Sequence, residues 1–104
     1  MPSKENKIQE MQILEQSLQN LLMQKQAFQM ELTETQSALR EIEKSGDEIF
    51  KVVGQLMIKT EKSAVKDELA NKEKILNLRI KTLEKQEDTF SKKLEEIRKQ
   101  MLGK

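Results

Sequence analysis

Three glycines and one proline are all that this chain of 104 residues contains, and their placement constrains the fold more than any other feature. Pro2 and Gly103 sit near the two ends, Gly46 and Gly54 fall near the middle, and the long segments between them have neither residue. Glycine and proline are the strongest helix breakers, so some forty residues on either side of the middle are free to run as unbroken helices. The middle itself, Gly46 to Thr60, is of another kind. It is dense in β-branched and large apolar residues, with Gly54-Gln55 placed for a tight turn between Ile49–Val53 and Leu56–Ile58, and it predicts a β-hairpin.

The first arm spans residues 4–44. A heptad assignment with Leu14 at d places Met11, Leu18, Lys25, Leu32 and Leu39 at a, and Leu14, Leu21, Phe28, Thr35 and Ile42 at d; eight of these ten are apolar. Spacing that alternates between three and four is what a helix needs to wrap on another in a left-handed coiled coil. At 1.5 Å per residue such an arm reaches about 60 Å. Pro2 and Ser3 suit the helix start and Gly46 suits a left-handed C′ residue at its end. Lys25 and Thr35 interrupt the seam. A polar group there fixes register, or in the case of Lys25 snorkels to solvent. Ile8, Ile13, Leu22, Met23 and Met30 lie outside the seam, which leaves two readings: partial burial beside it, or an apolar surface offered to something else.

The second arm spans residues 63–102, with Ser63 as its expected N-cap. Leu69, Leu76, Leu83, Phe90 and Ile97 recur every seven residues, beside a mixed row of Glu73, Ile80, Glu87, Leu94 and Met101. The acid-before-base pairs Glu68–Lys72, Asp88–Lys92 and Glu95–Lys99 are each expected to add a few tenths of a kcal/mol. Two arms of similar length joined by a short hairpin pack antiparallel, each seam hiding the other. The expected fold is therefore mostly α, a long antiparallel two-helix coiled coil carrying one β-hairpin over residues 48–60, with residues 1–104 forming a single domain.

Alternation along the strands puts Ile49, Lys51 and Val53 on one face of the hairpin and Phe50 and Val52 on the other, so both faces carry apolar groups. A lone two-stranded ribbon is marginal in water, and one greasy on both faces with open edges aggregates unless it is paired. Ile49, Phe50, Val52, Val53, Leu56, Met57 and Ile58 are thus the expected oligomerisation residues, through which the hairpins of several chains join in a shared sheet or barrel. Antiparallel pairing also gathers Ile8, Met11, Ile13 and Leu14 with Leu94, Ile97, Met101 and Leu102 at the far tip. Coiled-coil ends fray and methionine adapts its shape to varied partners, so this tip is a candidate adhesive surface for non-native chains. As plain core the same residues need no further explanation.

Composition removes other classes of function. The formal charge is +1, too small a field to attract nucleic acid or an acidic membrane surface. With no cysteine and no histidine, thiol chemistry and the commonest metal ligand and proton carrier are missing. No phosphate loop or hydrolase motif is present, and acid pairs such as Glu95-Glu96 lie on solvated helix faces, where nothing desolvates them. No enzyme, cofactor, metal or catalytic residue is expected. No apolar run approaches the roughly 20 residues of a membrane span, and the first residues hold no apolar signal-peptide core, so a soluble cytoplasmic protein is the expectation.

The run Phe50-Lys51-Val52-Val53-Gly54, then Leu56-Met57-Ile58-Lys59, Leu69, and above all Ile75-Leu76-Asn77-Leu78-Arg79-Ile80-Lys81-Thr82-Leu83-Glu84-Lys85-Gln86-Glu87 resembles the β-type subunits of the prefoldin family. The likeness covers most of the chain, and the single hairpin is the β-type pattern rather than the two-hairpin α-type one. It implies a hexamer of two α-type and four β-type subunits on a double β-barrel platform. It also implies unfolded polypeptides held at the coiled-coil tips without ATP and passed to a group II chaperonin. A structural scaffold or tether, assembled through the hairpin without client binding, is the rival reading.

Overall fold

A computed structural model describes residues 4–103. The elements follow in the order α1 (Lys4–Lys44), β1 (Ile49–Val53), β2 (Leu56–Thr60) and α2 (Lys62–Met101). Pro2 and Ser3, expected at the start of α1, lie outside the described residues. The chain divides into two compact units, one built from the chain up to Ala27 and from Arg79 onward, the other from Phe28–Leu78.

In the first unit α1 and α2 run antiparallel, as the ion pairs between Glu15 and Arg98 (3.7 Å) and between Lys25 and Glu87 (3.1 Å) require. Leu21, Ile80, Leu83, Leu94 and Ile97 are buried, and Met11, Leu14, Leu18, Phe90 and Met101 are half-buried. These are heptad positions without exception, so the seam lies where the spacing predicts it. Ile8, Ile13, Leu22 and Met23 are exposed, which decides against partial burial beside the seam within this chain.

Lys25 departs from its expected snorkelling. Its ammonium is held on Glu87 with the two side chains only 17% and 31% exposed. A charge at an a position is tolerated here because the companion row of α2 places a carboxylate opposite it. Breaking such a pair leaves one ion short of its partner, whereas replacing both with apolar groups is often neutral or stabilising. Glu87→Gln is expected to lower stability by about 1 kcal/mol, and the double change Lys25→Leu with Glu87→Leu to leave it equal or higher. Urea unfolding reads both, and a Glu87→Gln protein as stable as its parent would show that the pair contributes nothing.

The second unit holds the rest of the two helices and the hairpin. Leu76 is almost wholly removed from solvent, a burial that stabilises the fold by about 1.5–3 kcal/mol. Leu32, Leu39, Ile42 and Leu69 are half-buried in the same unit. Thr35 is the one buried polar residue among the described residues, only 4% exposed, and its Oγ1 donates to the Glu31 carbonyl at 2.8 Å. That back-bond satisfies the hydroxyl and lets a threonine occupy a seam position without an orphaned polar atom. On the surface, Lys66 lies 2.6 Å from Glu43 and holds its carboxyl below the usual glutamate range.

Both helix ends at the hairpin differ from expectation. Gly46 is not in the left-handed region, so it does not serve as a left-handed C′ residue. Instead Ser45 closes α1, donating from its backbone N–H and its Oγ to the Ile42 carbonyl at 3.1 and 2.8 Å. The Lys62 ammonium then donates to the Ser45 carbonyl at 2.8 Å, joining the end of one helix to the start of the other. Ser63 lies inside the first turn of α2, since the helix begins at Lys62 and Val65 N–H donates to the Glu61 carbonyl. Glu61, just outside, supplies the carboxylate at the positive helix end. A left-handed glycine does close α2: Gly103 has φ +79°.

The strands pair antiparallel in the register Ile49↔Thr60, Phe50↔Lys59, Lys51↔Ile58, Val52↔Met57 and Val53↔Leu56. Gly54 has φ 61° and Gln55 has no positive φ, the combination a two-residue type II′ turn requires.

Candidate functional site

The hairpin is the first candidate surface. Residues directly opposite one another share a face, so one face carries Ile49, Lys51, Val53, Leu56, Ile58 and Thr60 and the other Phe50, Val52, Met57 and Lys59. Of the seven apolar side chains expected to mediate oligomerisation, Phe50, Val52, Val53, Leu56, Met57 and Ile58 are all exposed, and Ile49 is half-buried. Among the described residues neither face is covered beyond the hairpin's root. The hairpin is nevertheless anchored: Lys51 Nζ donates to both oxygens of Glu68 on α2 at 2.9 and 3.2 Å. A cleft of about 430 Å³ opens at the hairpin's root, where Ile49 and Phe50 meet Ala38, Ile42, Val65 and Leu69. Lys51 and Glu68 were not singled out as partners by the sequence pattern, which pairs Glu68 with Lys72 along its own helix. Their 17-residue separation joins a strand to a helix, and no helical spacing announces it.

The second candidate surface belongs to the other unit. Of its eight expected residues, Ile8, Ile13 and Leu102 are exposed, Met11, Leu14 and Met101 are half-buried, and Leu94 and Ile97 are buried in the seam. The structure thus separates them into a contact layer and a support. Ile13, Leu14 and Ile97 line a shallow groove of about 380 Å³ with Glu10, Lys93 and Glu96 on its margin. An apolar floor with charged margins suits loose adhesion to apolar chain and offers no directed chemistry.

Ile75 and Leu78 are also exposed on α2, and Met30 on α1. The heptad pattern places all three off the seam. Among the described residues no helix is long and apolar enough to cross a membrane.

Two long helices joined by one exposed hairpin define a class of protein, the helix–hairpin–helix coiled-coil subunits. Comparison with known proteins narrows the class. The family model described as prefoldin subunit matches residues 5–103. The prefoldin subunit beta of Thermococcus onnurineus is 45% identical over 85 residues, which covers 80% of this chain and 73% of that one. That of Methanothrix thermoacetophila is 31% identical over 102 residues, covering 96% and 85%. The crystal structure of the prefoldin beta subunit from Thermococcus strain KS-1 superposes with a TM-score of 0.87 at 36% identity, covering 97% of this chain and 94% of that one. The chain belongs to the prefoldin family of chaperone subunits, among its β-type members.

Proposed function

We propose that this chain is one subunit of an ATP-independent holdase, assembled through residues 49–58 and holding unfolded polypeptides on the apolar surface formed by Ile8, Met11, Ile13, Leu14, Met101 and Leu102. Leu94 and Ile97 support that surface from within the seam. The observation that carries the reading is the hairpin: six large apolar side chains stand exposed on a two-stranded ribbon that has no cover of its own. Apolar surface of this kind is stable in water only when it is buried against other copies or a related chain. For the form of the assembly the reading follows the prefoldin family: two α-type and four β-type subunits on a shared barrel, in the cytoplasm, with delivery to a group II chaperonin. No step in this reading calls for turnover, a cofactor or a metal.

The test is the native mass of the chain alone and after mixing with an α-type subunit, followed by light scattering of a chemically denatured protein diluted into the mixture without nucleotide. A hexamer that suppresses scattering at stoichiometric amounts is expected. A stable hexamer that leaves scattering unchanged would favour a scaffold role.

A further inference from the structure

The chain has no cysteine and six methionines, so methionine sulfur is its only redox chemistry. The described methionines fall into three settings. Met11 and Met101 are half-buried beside the seam, while Met23 and Met30 are exposed on α1 away from it. Met57 alone lies on a strand; it is 71% exposed, the most accessible of the hairpin's large apolar residues. It pairs directly with Val52 and shares its face with Phe50 and Lys59. Its thioether therefore stands on a face, apolar but for Lys59, that must be covered if the hairpin is to assemble.

We propose that Met57 is an oxidation-sensitive control point: a hydroperoxide converts its thioether to the sulfoxide in the unassembled chain, and the oxidised chain is excluded from assembly. In the step, the sulfur lone pair attacks the peroxide oxygen; an S–O bond forms as the O–O bond breaks, and proton transfer releases water or an alcohol. Sulfur is oxidised by two electrons and the peroxide is reduced by two. The product replaces an adaptable apolar side chain with a polar, chiral one. On the free hairpin this change is harmless, because the oxygen faces water. In an apolar interface it leaves a strong acceptor desolvated without a donor, which is the cost of burying an unsatisfied polar group. The nearest hairpin cation on the same face, Lys59, lies opposite Phe50 and is directed to Glu48 at 3.8 Å. Assembly itself covers Met57, so subunits already incorporated are protected and free subunits are the ones removed from the pool.

This inference rests on assembly through the hairpin. Its test begins with the isolated full-length chain exposed to hydrogen peroxide, with sulfoxide at each methionine located by peptide mass spectrometry. Native mass is then measured after mixing with an α-type subunit. Met23 and Met30, both 67% exposed, serve as internal controls because they are oxidised at similar accessibility away from the hairpin. Loss of assembly is expected to follow Met57 oxidation, with at least about a tenfold rise in the concentration needed for half-assembly. Met57→Leu, whatever its starting level of assembly, is expected to show no change in it after peroxide, and Met57→Gln to assemble poorly without peroxide. Met57→Ile provides the resistant variant if leucine disturbs the strand. Methionine sulfoxide reductase is expected to restore the wild-type chain. If the peroxide-treated Met57→Leu chain loses assembly as the wild type does, or if wild-type chain carrying the sulfoxide assembles unchanged, the inference fails. Either result leaves the hairpin reading standing as long as a charge placed in the hairpin still blocks assembly; if that charge too is without effect, the hairpin reading has failed as well.

Discussion

Replacing Val53 and Ile58 with aspartate is expected to take the complex apart while the circular dichroism of the chain stays helical. Both side chains are about half exposed and lie on the same face of the hairpin, one beside the turn and one opposite Lys51. In the isolated chain each new carboxylate meets water, so the fold loses little. On assembly the carboxylates enter an apolar interface, where an uncompensated charge costs about 3 kcal/mol or more. That corresponds to at least about a hundredfold in the concentration needed for half-assembly, before the effect is multiplied over several copies. Neither position belongs to the helical seam, which is why helicity serves as the control. Sedimentation showing the parental oligomer at micromolar concentration would remove the hairpin from the assembly.

A second large effect is expected at the other surface. Changing Ile8, Ile13 and Leu102 to serine should leave the oligomer and its helicity intact and abolish suppression of aggregation. The choice follows burial. Ile97 and Leu94 are seam residues, and a polar group at either would unfold the helix pair and confuse loss of binding with loss of structure. The exposed three each forfeit about 1.5–3 kcal/mol of contact when a client covers them, so client affinity should fall by about two orders of magnitude or more. Suppression that persists at equal subunit concentration would mean that clients are held elsewhere.

How much of this was legible in the sequence depends on whether a signal repeats. The seams were legible because each is written many times over: Leu14, Leu21 and Phe28, or Leu69, Leu76 and Leu83, repeat one spacing, and that spacing has one structural meaning. The turn was legible because Gly54 occupies a position where a left-handed φ is demanded. Single residues with competing options were harder. Ser45 and Gly46 are both good helix stops, and the serine hydroxyl reached the Ile42 carbonyl first, leaving the glycine its freedom unused. Lys25 taken alone is a snorkelling side chain, because the helix-to-helix alignment that brings Glu87 to it is not contained in either arm. Leu94 and Ile97 stand in the heptad rows of α2 and Leu102 in neither, so spacing alone separates the buried tip residues from the exposed one. The Lys51–Glu68 anchor joins a strand to a helix, and no periodicity connects the two.

The bond from Lys62 to the Ser45 carbonyl has a consequence for the order in which the chain folds. It spans 17 residues, whereas Lys25 and Glu87 are separated by 62. Closing a short loop costs less entropy than closing a long one, and once the short loop is closed each later pair adds only a few residues to a closure already made. The helix pair should therefore zip outward from Ser45 and Lys62, with residues near Met11 and Met101 joining last and parting first. On that view the end that carries Met11 and Met101 is the latest to be made on every folding event and the earliest to open, and the ease of its opening is set by its distance along the sequence from the junction at the hairpin.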